Sequence, residues 1–326
     1  MAHIEKYRAK EKLFGDRASR LDREDYYVFS DKILHEIEPF VETVYRPDQL
    51  PDKPSFGDID LIAQSSDPFT EKDFKEIFGE QLLDYSRNGE TYSLLVKISD
   101  IRAAHVDFIR AIDETDLMRK EIYFSKGHTS PIIGMLSRRL GFTYGTEGFF
   151  KRYCDSKGQW HDIKITDDLF EGMQILGLDP EEWRRITTID DIVTFISASP
   201  HFTNEMFEED SLAKRDREQI QRIASQEYII EKLRALERKP QGLEENVFFK
   251  ELLPKQYEQY ERTIAELETK LQQRRAVDGY SVMEALHIAP GEQVGQALEY
   301  IHEHYPDATE LTDEMVIILR RELGVE

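Results

Sequence analysis

Lys53-Pro-Ser-Phe-Gly-Asp-Ile-Asp-Leu-Ile62 sets two carboxylates, Asp58 and Asp60, on either side of an isoleucine and runs on into apolar residues. In a β-strand, residues i and i+2 point to one face. Both acids therefore project together, while Ile59 and Leu61 turn into a core. Two like charges this close repel unless a cation sits between them. Oxygen-only ligands favour Mg²⁺, which keeps several waters and shares its shell with substrate phosphates. A Gly-Asp turn entering an ordinary strand, with both acids solvated, fits the decapeptide equally well.

A third acid extends the pattern. After the expected strand Thr91-Tyr-Ser-Leu-Leu-Val-Lys-Ile98 comes His105-Val-Asp-Phe-Ile109, with Asp107 between apolar neighbours. An acid buried in a strand is costly unless paired or metal-bound. Two strands side by side would bring Asp107 up to Asp58 and Asp60. Three carboxylates around two divalent ions form the kind of site that runs in-line phosphoryl or nucleotidyl transfer.

With these residues the chain resembles the nucleotidyltransferase superfamily, and within it the palm of family X DNA polymerases. That family shows a Gly-Asp-hydrophobic-Asp motif and then an Arg/His-Val-Asp strand. It continues with a Tyr-Phe-Thr-Gly-Ser segment, an Arg-bearing helix and a Gly-containing hairpin. The counterparts here are Tyr123-Phe-Ser-Lys-Gly127, Leu136-Ser-Arg-Arg-Leu-Gly141 and Tyr144-Gly-Thr-Glu-Gly-Phe-Phe150. Thr166-Asp-Asp-Leu-Phe through Leu176-Gly-Leu178 is similar to the family's acid-acid-Leu-Phe and Leu-Gly-Leu stretch, so the likeness spans roughly residues 45 to 185.

The resemblance implies an α+β fold: a polymerase beta-like palm with a mixed β-sheet over 41–165, behind an N-terminal helical segment at 1–40. A thumb-like helical region at 166–240 and a helical tail at 241–326 would follow. It also implies a metal-dependent nucleotidyltransferase, with an NTP as substrate and two Mg²⁺ ions held by the catalytic acids Asp58, Asp60 and Asp107. Nucleotide contacts would come from Arg46, Lys53, Ser55, Gly57, Tyr123, Phe124, Ser125, Lys126 and Arg138. Tyr123 and Phe124 would lie against sugar and base, Lys126 and His128 near phosphates, and Arg138 or Arg139 toward the triphosphate. Tyr123 and Phe124 ending a strand and packing into the core is the competing reading, and Arg46 reads as well as a solvated loop residue.

The chain departs from the family at one point. The superfamily places a Gly-Ser or Gly-Gly pair upstream of the Asp pair, on a helix whose backbone N–H groups cradle the triphosphate. Here Val41-Glu-Thr-Val-Tyr-Arg-Pro47 has no glycine. Arg46 and Lys53 would have to supply charge, and Ser55 the hydroxyl.

Elsewhere the reading rests on composition and periodicity. Apolar residues Tyr26, Tyr27, Phe29, Ile33, Leu34 and Ile37 recur at helical spacing, which predicts a helix beneath the sheet. Phe69 to Leu83 reads as an amphipathic helix with Thr70 as N-cap. Forty N-terminal residues are too few for the lyase and DNA-binding domains of family X, which argues against gap-filling repair. The single cysteine, Cys154, excludes an intramolecular disulfide framework. With no apolar stretch of membrane-spanning length and no signal-peptide layout, a cytoplasmic protein without a membrane partner is expected.

A net charge of −22 opposes non-specific binding of long duplex DNA, though not a local basic groove. The stretch 211–239 holds eight Lys/Arg (Lys214, Arg215, Arg217, Arg222, Lys232, Arg234, Arg238, Lys239) against five acids. It is the candidate RNA-facing helix, and a solvated, salt-bridged helix fits it too. Val277–Leu298 resembles a segment of bacterial tRNA CCA-adding enzymes and poly(A) polymerases. It predicts a helix stopped at Pro290-Gly291 and restarted with Gly295 under a closely approaching helix. Together these point to transfer of a nucleoside monophosphate onto an RNA 3′ end. A family X-like DNA polymerase, nucleotidylation of a protein or small molecule, and a non-catalytic scaffold on the same fold are the alternatives.

Overall fold

Period-2 and period-3.6 apolar patterns alternate along the first half of the chain, and each closes into the element it specifies. The computed structural model describes residues 13–51, 53–207, 217–218, 220, 223, 228–236, 247–273, 277–305, 308 and 310–325. A short strand β1 (Leu21–Asp22) leads into helix α1 (Arg23–Ile37), where the Asp22 carboxylate accepts a hydrogen bond from the Asp25 N–H. Such a cap stabilises by about 1 kcal/mol. Strands β2 (Thr43–Tyr45), β3 (Ser55–Phe56) and β4 (Ile59–Gln64) follow, then helix α2 (Glu71–Phe78). Next come β5 (Leu82–Asn88), β6 (Thr91–Ser99), β7 (Arg102–Ala111) and helices α3 (Glu114–Phe124) and α4 (Thr129–Arg139).

The main sheet has the order β2-β4-β7-β6-β5, with β4 and β7 parallel and the other neighbours antiparallel. The fold is thus α+β with a mixed five-stranded sheet. One face carries Ile59, Leu61, Val106 and Phe108 against Phe29, Ile33 and Ile37 of α1 and Phe74 and Phe78 of α2. On the other face, Ile62, Ile109 and Ala111 pack against Leu117 and Phe124 of α3. Farther along that second face, Leu95 and Ala103 are covered by Phe14. Between these two apolar patches the alternation places Asp60, Ser93, His105 and Asp107, a polar gap in an otherwise covered sheet.

One local reading is corrected by the elements between β4 and β6. The helix expected over Phe69–Leu83 stops at Phe78, because Gly79 at φ 54° takes a conformation that other residues adopt only at a cost. The residues beyond it form β5, which pairs with β6 across Gly89. At the helix start the Asp73 carboxylate accepts from both the N–H and the hydroxyl of Thr70.

The chain divides into two compact units, Met1–Arg152 with Lys164–Tyr257, and Tyr153–Ile163 with Glu258–Glu326. A three-stranded sheet of order β10-β9-β8 is built from β8 (Phe142–Gly145), β9 (Gly148–Cys154) and β10 (Trp160–Thr166). The first unit goes on with helices α5 (Leu169–Ile175), α6 (Pro180–Arg185) and α7 (Ile189–Ala198). In the second, three helices, α8 (Gly279–Leu286), α9 (Glu292–His304) and α10 (Asp313–Leu323), enclose Val282, Leu286, Ala297, Ile301 and Leu319. The restart after Pro290-Gly291 is present, but Gly295 meets nothing within 4 Å of where a Cβ would stand. The close approach is at Gly279, where a Cβ would stand 3.3 Å from the Val294 side chain.

Candidate functional site

The polar gap on the sheet opens into a cleft of about 470 Å³. Asp60 of β4 is the register partner of Asp107 of β7, so the parallel pairing sets both on one face. Asp58 stands just before β4, two residues upstream on the same side, and all three acids line the cleft. Asp107 is held by neighbours on its own face. The Ser93 hydroxyl donates to its Oδ1 at 2.5 Å, and His105 Nε2 lies 2.9 Å from the same oxygen. No hydrogen bond among the described residues reaches Oδ2. Phe14 meets the His105 ring edge-on at 5.0 Å. Burial pulls the His105 pKa down, but the hydrogen bond and charge of Asp107, with the charge of Asp58, outweigh it and hold it above its ordinary value.

Behind the acids, Tyr26 of α1 stacks on Phe56 at 3.8 Å, and its buried hydroxyl has no hydrogen-bond partner among the described residues. Burial, then the charge of Asp60, raises its pKa far above the phenol range, so it stays neutral.

Of the expected nucleotide contacts, Lys53, Gly57, Tyr123, Phe124 and Arg138 line this cleft. Tyr123 and Phe124 end helix α3 rather than a strand, with their rings edge-to-face at 5.3 Å, and Tyr123 stacks on Tyr144 at 6.1 Å. Arg138 faces the cleft while Arg139 is exposed. His128, the residue before α4, also lines it.

Four expected contacts lie apart from it. Arg46 pairs with Asp31 at 2.6 Å, donates to the Ser30 hydroxyl, and spreads over the Tyr27 ring at 4.6 Å, fastening the loop after β2 to α1. Ser125 is buried and its hydroxyl accepts from the Asp48 N–H. Lys126, at φ 63°, turns to Asp48, which its ammonium meets at 3.1 Å. Ser55 accepts hydrogen bonds from Arg20 through its hydroxyl and its carbonyl.

Sequence reading assigned no role to Arg20 or His105, although both line the cleft. His105 carried a signal, its i, i+2 spacing from Asp107. Arg20 carried none, because only the pairing of Leu21 with Phe56 and Asp22 with Ser55 brings it here.

Of the basic stretch, Lys214, Arg215, Arg222, Arg238 and Lys239 lie outside the described residues. Lys232 pairs with Asp190, and Arg234 donates twice to the Phe207 carbonyl. No helix among the described residues is long and apolar enough to cross a membrane.

The cleft is lined by charged side chains of both signs. Neither Arg20 nor Lys53 pairs with a carboxylate among the described residues, and Lys53 lies over the Phe56 ring at 5.0 Å. Among the described residues, no three His, Cys, Asp or Glu side chains converge as a ready-made metal cage. The donors are hard oxygens on one face, which suit Mg²⁺ completed by waters and by phosphate oxygens of a ligand rather than by protein alone. A metal-bridged polyanion matches both halves of the charge. No family model matches the chain, and no curated protein matches it in sequence.

Proposed function

We propose that the chain is a metal-dependent nucleotidyltransferase, moving a nucleoside monophosphate from an NTP to a hydroxyl and releasing pyrophosphate. The observation that carries this is the meeting of Asp58, Asp60 and Asp107 with Arg20, Lys53 and Arg138 in one cleft. Two Mg²⁺ ions on the three carboxylates would lower the pKa of the acceptor hydroxyl and offset the charge growing on the leaving pyrophosphate. Asp107 is steadied by Ser93 and His105 on Oδ1, which would leave its other oxygen for a metal on the acceptor side. Lys53 and Arg138 bind the phosphates, while Tyr123 and Phe124 offer aromatic surface to sugar and base. The acceptor we propose is an RNA 3′ end, on the likeness of residues 277–298 to CCA-adding enzymes.

The test is incubation of the full chain with Mg²⁺, each α-labelled NTP, and either tRNA or a DNA primer-template. Label at the tRNA 3′ end is the expected result. Template-dependent extension of DNA would replace the acceptor, and absence of both transfer and NTP binding would remove the reading.

A further inference from the structure

We infer that Arg20 binds the triphosphate chain, that Ser55 positions it, and that Gly57 is bare backbone so that it fits. The inference rests on the nucleotidyltransferase reading and names the residue that grips the NTP's terminal phosphates. The pairing of β1 with β3 draws Arg20 across the loop that leads to Asp58. There the Ser55 hydroxyl accepts from Arg20 Nη2 at 3.0 Å and from Nε at 3.3 Å, and the Ser55 carbonyl accepts from Nη2 at 3.1 Å. Three contacts to one residue fix the plane of the guanidinium. Its third nitrogen, Nη1, has no hydrogen-bond partner among the described residues and lies over Gly57, 3.1 Å from where a Cβ would stand.

With a net charge of −22, cations find acids readily: Arg17 has Asp84, Arg46 has Asp31 and Lys126 has Asp48. Arg20 lines a cleft with three carboxylates and pairs with no carboxylate among the described residues. An arginine whose fork is oriented by a neutral hydroxyl, with donors left over, suits a phosphate in a way a point-charge lysine does not. Val41–Pro47 has no glycine from which to build a backbone cradle. A side-chain cradle from the N-terminal strand takes its place.

Calorimetry on the full chain with Mg²⁺ and, in turn, inorganic tripolyphosphate, ATP and AMP tests this. Arg20→Gln should weaken tripolyphosphate and ATP by about 10–100-fold, the loss of a charge-assisted phosphate contact, and leave AMP unchanged. Arg20→Lys should fall between Gln and wild type. Ser55→Ala should weaken tripolyphosphate by about 3–10-fold alone and add nothing to Arg20→Gln, because it acts only through Arg20. Gly57→Ala should weaken tripolyphosphate less than Arg20→Gln does, since the added methyl, 3.1 Å from Nη1, asks the guanidinium to shift by a fraction of an ångström. If Arg20→Gln protein binds tripolyphosphate like wild type while wild type binds ATP, the Arg20 assignment falls and the nucleotidyltransferase reading stands. If wild type binds neither, both fall. Additive effects of Ser55→Ala and Arg20→Gln would overturn the positioning role of Ser55.

Discussion

Two charge clusters flank α3, and they are finished in opposite ways. At the helix start, Asp116 and Lys120 are each 4% exposed and meet at 2.7 Å. Asp116 also accepts from the Ile112 N–H and from Arg119, while Lys120 donates to the Arg110 carbonyl and Arg119 to the Thr146 carbonyl. Every strong donor there has an acceptor inside the protein, and the cluster ties α3 to β7. At the cleft, Asp58, Asp60 and Asp107 face Arg20 and Lys53, and no ion pair joins the two groups among the described residues. Arg20 and Lys53 are left without a carboxylate among the described residues, a place that a ligand's anionic group would fill. The closed cluster ties the fold together, and the cleft cluster is the candidate functional site.

The sharpest way to break this comparison is at Asp60. Asp60→Asn should lower nucleotidyl transfer by roughly 10³-fold. In EDTA its melting temperature should hold or rise, because removing one of three neighbouring like charges relieves repulsion. A melting temperature that falls steeply would mean Asp60 is structural.

Asp116→Asn should do the reverse and destabilise by about 3–5 kcal/mol, because it strands the buried Lys120 ammonium. Burial pushes the Asp116 pKa up, but Lys120, the Ile112 N–H and Arg119 outweigh that and hold it below its ordinary value. A depressed pKa contributes stability that is present above about pH 4 and is lost as pH falls through the folded value. Chemical denaturation of wild type from pH 6 down to pH 3 should show that loss, and the variant should lack this component.

Arg46 sharpens the boundary between the clusters. Its side chain is 19% exposed and engaged with Asp31, Ser30 and Tyr27, so Arg46→Ala should cost about 1–2 kcal/mol. The rise in melting temperature produced by Mg²⁺-NTP should persist. Its disappearance would return Arg46 to the nucleotide site.

The smallest effect is at His105. Its raised pKa contributes stability that is complete below about pH 6.5 and is lost as pH rises through the folded value. Metal-free wild type should therefore melt slightly lower at pH 8 than at pH 6. His105→Asn should flatten that difference, and an unchanged slope would show that another group titrates there.

Much of the mixed sheet and its helices was legible from short-range pattern. Alternation along 58–62 put Asp58 and Asp60 on one face with Ile59 and Leu61 in the core, and helical spacing located α1. Strand β5 went unread although Asn88-Gly89 is a strong hairpin signal, because the apolar residues before it extended the helical pattern past Gly79. The expected site was partly legible. Lys53, Gly57, Tyr123, Phe124 and Arg138 line the cleft, whereas Ser55, Ser125, Lys126 and Arg46 are taken up by neighbours that motif order cannot reveal.

By itself, the sequence determined which acids share a face, since i, i+2 geometry is a property of one strand and needs no partner. It also determined the acidity of the chain and the missing glycine upstream of the Asp pair. The tertiary structure alone decided that Asp60 stands beside Asp107, that Arg138 rather than Arg139 enters the cleft, and that Arg20 reaches Gly57. The register of distant strands and the aim of a long side chain depend on the summed packing of the whole unit, in which no single residue's preference prevails.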